Sequence, residues 1–427
     1  MTRHVLSNGA RVLIREDHSL PTMSVKVLFK GGLLSETKSD NGISNLFSEM
    51  LLLGTKKRSA QSIVEGLEKA GGHISNYSGN NSFGFSIDVL AKHWSLAVEL
   101  LSDIVMEPTL PAQELAKEKQ AVLLDIQSLE DQIFQTASKL FRQTMFEGHP
   151  YQFITQGTKE SVTRLRREDL LSYYQRYVVG PNTVITLGGD VEAKKVVKAL
   201  EKALAKMPNH PASFPAFPRP AAKKPKSVSK TQDGKQAVIL LGYPGVNMTD
   251  PDRYVFEVMD ALFSGQGARL FDAIRETHGL AYLVGCYQIT GVEPGAFVFY
   301  VGTVPDKVDF VVDALRKEIH KIKSTGVDPE ELERAKRGLI GARKSQLQTN
   351  AQIGLQTGLD ELYGLGWDDY KKYYQRVQTV TVEDIRRVAN RYFDDDRQVL
   401  SIVQPPKQRE AAKALRGPSA ALETTGR

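Results

Sequence analysis

The sequence predicts an α+β protein of two structurally similar domains, each a largely antiparallel sheet packed with helices. Three observations point there. Its 427 residues exceed what one ordinary core organises and suit two domains of about 200 residues each. A proline-dense stretch at 208–230, holding Pro211, Pro215, Pro218, Pro220 and Pro225, divides the chain near its middle. Proline at that density removes backbone donors and favours an extended, semi-rigid linker. Two patterns then recur across the divide. Glu114-Leu115 and Glu331-Leu332 each open a helix, while Glu168-Asp169-Leu170 leading to Arg176-Tyr177 is matched by Glu383-Asp384-Ile385 leading to Arg391-Tyr392. The offsets are 217 and 215 residues, which argues for internal duplication. The expected limits are 1–207 for the first domain, 208–230 for the linker, 231–406 for the second domain and 407–427 for a tail without assigned function.

Within the first half, residues 11–15 and 24–30 read as strands, and 83–89 alternates with a period of two. Residues 43–53, 93–105 and 116–129 carry apolar side chains at three- and four-residue spacing, the mark of helices with one buried face. An apolar strand is expected at 183–187. The second half offers strands at 237–241, 296–301 and 398–403, and helices at 253–263 and 308–323. Strands and helices mixed in this way fit helices layered on a sheet.

Composition excludes several functions. No run of about 18 apolar residues occurs, so a membrane span is not expected. The net charge of +6 rests on 56 basic and 50 acidic residues that are well interspersed, unlike the clustered basic face of a nucleic-acid binder. The short clusters Lys56-Lys57-Arg58, 164–167 and Lys223-Lys224 read as solvated surface. The first 16 residues lack a signal peptide's apolar core. The compartment stays open: cytoplasm if Met1 is native, periplasm if an upstream signal was removed. The single cysteine, Cys286, sits in an apolar strand-like run and reads as a buried, inert thiol. No G-x-S-x-G elbow or complete phosphate-cradling loop is present, and Gly265-Gln266-Gly267 alone is a weak signal.

Gly42 to Arg58 reads GISNLFSEMLLLGTKKR. This segment resembles the active helix of the M16 peptidases, in the two-domain subgroup that includes mitochondrial processing peptidase and its bacterial relatives. That helix carries an inverted zinc motif, H-x-x-E-H, ahead of a short apolar stretch and Gly-Thr. The frame survives here, but Asn45 and Glu49 occupy the two histidine positions and Ser48 the glutamate position. Two imidazoles at i and i+4 share one helical face and one zinc ion, and the glutamate takes a proton from zinc-bound water. The family's third ligand falls at Asp125, with Glu118 at a supporting acidic position. Asn45, Glu49 and Asp125 together offer oxygen only and no base, whereas zinc prefers nitrogen and sulfur donors. Independently, the eight histidines, His4, His18, His73, His93, His149, His210, His278 and His320, are never spaced to share a helical face. No metal is expected in this chain.

The second half keeps a different signature. Leu262 to Tyr287 resembles the family's C-terminal domain: a glycine-bearing loop (Gly265, Gly267), then Arg-Leu-Phe, then Arg275 followed seven residues later by Tyr282. In the family this Arg/Tyr pair reaches across a closed clamp to the zinc-bound substrate carbonyl, a task suited to a guanidinium and a phenol. Gly265 and Gly267 would form a flexible loop touching the substrate path. In active relatives a Gly-Gly followed by an Asn-Ala stretch lines the cleft. Gly71-Gly72 persists here but Ser75-Asn76-Tyr77-Ser78-Gly79 departs from it, which makes strand addition at that edge doubtful. A broken metal motif beside an intact Arg/Tyr pair suits division of labour between two chains. The expectation is a non-catalytic, substrate-binding subunit of a heterodimeric zinc endopeptidase. Its partner would be a homologous M16 subunit carrying H-x-x-E-H and the zinc, and its substrate a peptide or unfolded protein. The alternatives are a structural scaffold subunit and a peptide-binding, chaperone-like homodimer.

Overall fold

The computed structural model describes residues 1–219, 224–265, 267–276 and 283–406, the side chains of residues 275 and 276 excepted. The first sheet comprises β1 (Thr2–Val5), β2 (Arg11–Glu16), β3 (Thr22–Lys30), β4 (His73–Ser78), β5 (Ser82–Leu90) and β6 (Thr183–Gly189), in the order β1-β2-β6-β3-β5-β4. The second comprises β7 (Lys226–Thr231), β8 (Ala237–Pro244), β9 (Leu283–Ile289), β10 (Ala296–Thr303) and β11 (Val399–Gln404), in the order β7-β11-β8-β10-β9. Apart from the added β1, the two orders superpose strand for strand. Each sheet has one parallel pair, β2 with β6 and β7 with β11, at corresponding places. The duplication read from two sequence patterns is therefore a duplication of topology.

Fourteen helices complete the described chain: α1 (Ile43–Met50), α2 (Ala60–Lys69), α3 (Trp94–Met106), α4 (Ala112–Asp131), α5 (Ile133–Met145), α6 (Lys159–Arg164), α7 (Arg167–Tyr177), α8 (Ala193–Ala203), α9 (Arg253–Phe263), α10 (Val308–Thr325), α11 (Pro329–Gln346), α12 (Asn350–Leu362), α13 (Tyr373–Gln378) and α14 (Val382–Tyr392). None is long and apolar enough to cross a membrane. Alternate residues of the first sheet, among them Val25, Val27, Phe29, Phe83 and Phe85, form one core with Leu46 and Phe47 of α1 and with residues of α3, α7 and α8. The period of two that marks these strands is the alternation between that core and the opposite face. Phe256, Phe263, Phe297, Phe299 and Phe393 anchor the equivalent core of the second half.

The opposite face of each sheet is covered by a helix from the other half. α5 lies on β8 and β11, where Ala137, Phe141 and Met145 join Val238, Leu240, Val399 and Val403. α12 lies on β3 and β6. Its contact is of a different kind, because Gly354 and Gly358 bring the helix backbone down onto Thr186 and Leu28. A Cβ at position 358 would stand 2.4 Å from Leu28 Cδ1 and 2.7 Å from Thr186 Cγ2. Gly358→Val is therefore expected to lift α12 and destabilise the protein by about 1–3 kcal/mol, the usual range for overpacking. It would be seen as a lower urea midpoint with an unchanged slope.

Two boundaries differ from the sequence expectation. The helix expected over 43–53 stops at Met50, since Leu52 and Leu53 bond back only three residues, to Glu49 and Met50, before Gly54 turns with a φ of +137°. Strand β7 opens at Lys226, directly after Pro225 and inside the stretch read as linker. Before it, the linker packs Phe214 against Tyr177 and Phe217 against His149, with ring centroids 5.3 and 5.9 Å apart.

Candidate functional site

The helix that carries Asn45, Ser48 and Glu49, α1, is held by a buried cap. Gly42 enters α1 with a φ of +95°, a conformation that L side chains rarely adopt, and a Cβ there would press on the carbonyl of Gln156. The carboxyl of Glu36, fully buried, accepts hydrogen bonds from Asn41 Nδ2 at 2.7 Å, Gly42 N at 2.9 Å and Ser44 N at 3.0 Å. It thereby occupies two of the donors a helix start leaves open. Burial pushes its pKa up to about 8, against the pull of those three hydrogen bonds.

On α1 itself Ser48 is buried, and its hydroxyl donates to Asn45 O at 2.8 Å while accepting from Asn76 Nδ2 at 3.1 Å. One turn earlier Ser78 Oγ donates to Ser44 Oγ at 3.0 Å. Edge strand β4 is thus stitched along this face of α1 by short polar side chains. Asn45 and Glu49 are half-buried, one turn apart. From α4, Glu118 is half-buried, its pKa raised by that burial and then by the charges of Glu49 and Glu114, whereas Asp125 is exposed. Among the described residues no group of three or more His, Cys, Asp or Glu could hold a metal ion. Asn45, Glu49 and Asp125 also supply no nitrogen or sulfur donor, so this face does not fit zinc.

At the second candidate site, Gly265 and Gly267 follow α9 with φ of +107° and +75°, and a Cβ on either would meet open space. The loop's flanks are fixed. Arg269, in the Arg-Leu-Phe run, makes a two-pronged pair with Glu331 of α11 at 2.6 and 2.5 Å. Ser264 Oγ accepts from Cys286 N at 2.9 Å, which ties the loop to β9. Arg275 lies in a single π-type turn, 271–276, and its side chain is outside the described residues, as is all of Tyr282.

Comparison with known proteins places this architecture. Residues 11–159 match the family model described as insulinase, peptidase family M16, and residues 164–339 the model described as peptidase M16 inactive domain. The chain belongs to peptidase family M16. Among M16 relatives, an uncharacterized zinc protease of Streptomyces coelicolor is 26% identical over 418 residues, covering 96% of this chain and 91% of that protein. The mitochondrial-processing peptidase subunit beta of Bos taurus is 24% identical over 415 residues, 94% of this chain and 84% of that one. A solved peptidase M16 inactive domain from Pseudomonas fluorescens aligns with a TM-score of 0.87 at 23% identity, over 95% of this chain and 98% of that structure.

Against the M16 pattern, sequence reasoning missed two features of the site. Glu36 carries no local motif, because its partners lie five to eight residues onward around a turn. The bond from Asn76 to Ser48 crosses from strand to helix, so no spacing announces it. Cys286 is buried, with Sγ 3.3 Å from Asp260 Oδ1 and its pKa raised by burial, the setting of an unreactive thiol.

Proposed function

We propose that this M16 chain is the non-catalytic, substrate-holding subunit of a heterodimeric zinc endopeptidase. Its partner would be a homologous subunit carrying H-x-x-E-H, with the zinc in that subunit. Arg275 and Tyr282 are assigned to the partner's site, where a guanidinium fixes the peptide carbonyl and a phenol donates to the oxygen that gains negative charge. Gly265 and Gly267 leave the loop ahead of them free to adapt to a peptide. The observation that carries the reading is the state of Ser48. The position that needs a general base holds a buried hydroxyl already committed to Asn45 and Asn76, with no nitrogen ligand on either side of it.

The test is reconstitution with an M16 homologue that carries H-x-x-E-H. The purified chain supplied with zinc is expected to cleave nothing, and the one-to-one mixture to cleave peptide in a chelator-sensitive way. The Arg275→Ala, Tyr282→Phe double variant should lower kcat of the mixture by about 100-fold, the scale of lost oxyanion donors, while the complex still assembles. Unchanged turnover by the double variant would sink the reading, as would chelator-sensitive cleavage by this chain alone.

A further inference from the structure

Between the two halves lies a cavity of about 480 Å³, bounded by the β4–β5 hairpin, α9, α11, α12 and α13. Of its charged groups, Arg253 and Asp369 pair with each other, whereas Arg343, Glu257 and Asp360 make no ion pair among the described residues. The guanidinium of Arg343 makes neither hydrogen bond nor ion pair among the described residues; it lies over the Tyr373 ring, 4.9 Å from the centroid, and its Nε is buried without an acceptor. Glu257 accepts from Tyr373 Oη at 2.6 Å, and Asp360 from Gln356 Nε2 at 2.8 Å. Neither carboxyl has an ion-pair partner among the described residues. Burial raises the pKa of both, that of Asp360 to about 6. Tyrosine rings, Tyr77, Tyr363 and Tyr373, supply flat apolar wall.

Charged groups withdrawn from water need compensation, and here one half-buried cation and two acids act on one another only through longer-range charge, without a direct ion pair. A simple anion placed on Arg343 would confront Glu257 and Asp360. A simple cation placed on those acids would leave Arg343 unpaired and repelled. We propose that the cavity binds a zwitterionic molecule of amino-acid to dipeptide size, its carboxylate on Arg343 and its ammonium on Glu257 and Asp360. Guanidinium and carboxylate form a charge-assisted, two-pronged pair, which is the strong kind of hydrogen bond. The tyrosine rings then favour an aromatic side chain on the ligand. The volume falls in the ordinary range for small-molecule sites. This inference does not depend on the chain's place in proteolysis.

Calorimetric titration of the full chain tests it, with phenylalanine and alanyl-phenylalanine set against their N-acetylated and C-amidated derivatives. The zwitterions are expected to bind at least about tenfold more tightly than either capped form, the scale of one lost charged hydrogen bond. Arg343→Gln and Asp360→Asn should each weaken zwitterion binding by a similar factor while the circular dichroism spectrum is unchanged. The comparison of capped and uncapped ligands uses the unaltered protein, so it decides the matter even where a variant misfolds. No binding by any probe at millimolar concentration, equal binding by capped forms, or full binding by folded variants would each overturn the proposal.

Discussion

Phe141→Ala is expected to destabilise the protein by about 3–5 kcal/mol, the upper range for truncating a buried aromatic side chain. The ring is fully buried on α5, a helix that belongs by sequence to the first half and covers the sheet of the second. It sits in a dimple made by Gly242 of β8, where a Cβ would stand 2.4 Å from its Cζ. The site cannot easily collapse after truncation, because Ser401 Oγ donates to Ala137 O at 3.0 Å and holds α5 one turn away. The measurement is urea unfolding of the single variants and of the Phe141→Ala, Gly242→Ala pair. Gly242→Ala alone should be harmful, yet in the Phe141→Ala background its methyl enters vacated space and should recover part of the loss. That sign reversal is the signature of a direct contact. Losses that simply add would mean the ring and the glycine are not packed as described. α5 is also one of two helices joining the halves, so the variant should separate their unfolding into two transitions by calorimetry.

The exchange of α5 and α12 marks the limit of what the sequence discloses about this fold. Helix 253–263 is legible because its apolar side chains recur with a helical period, and the strand expected at 296–301 because it is a short continuous apolar run, buried on both faces. That a helix has one apolar face is equally legible. Which sheet receives the face is not, since the choice depends on contacts more than a hundred residues away. Gly354 and Gly358 make the point in reverse. As local signals two glycines weaken a helix, yet here they permit the close approach that docks α12 on Thr186 and Leu28.

The site divides in a similar way. That positions 45, 48 and 49 carry Asn, Ser and Glu rather than H-x-x-E-H is legible, because helix geometry alone puts i, i+3 and i+4 on one side. What those residues do in the fold is not legible. Ser48 is buried and bonded to Asn76, a residue whose departure from the family's edge-strand pattern looks unrelated in the sequence. Both residues belong to one polar seam between α1 and β4. The Arg343, Glu257 and Asp360 constellation also escapes the sequence, since it draws on three helices separated by long stretches of chain.

The cap on α1 leads to a second large effect. Glu36→Ala should destabilise the protein by on the order of 3 kcal/mol, because it strands three donors inside the core and leaves a void. The pH dependence is the sharper test. Burial holds the folded-state pKa near 8, well above the ordinary value of 4.5, so the native protein keeps this proton over a range in which the unfolded chain has released it. Stability from this group is then fully present below about pH 4.5 and is lost as the pH rises through about 8. Glu36→Gln has no proton to lose. The difference in unfolding free energy, wild type minus Glu36→Gln, should therefore fall steadily between pH 5 and 8, by on the order of a few kcal/mol, while other titrating groups cancel. A flat difference would mean that the helix start and its three donors hold Glu36 ionised throughout, reversing the balance between burial and hydrogen bonding assigned to it. In that case α1 would be fixed by a charge, and Glu36→Gln, which removes it, should be harmful at every pH above 5 rather than increasingly tolerated toward pH 8.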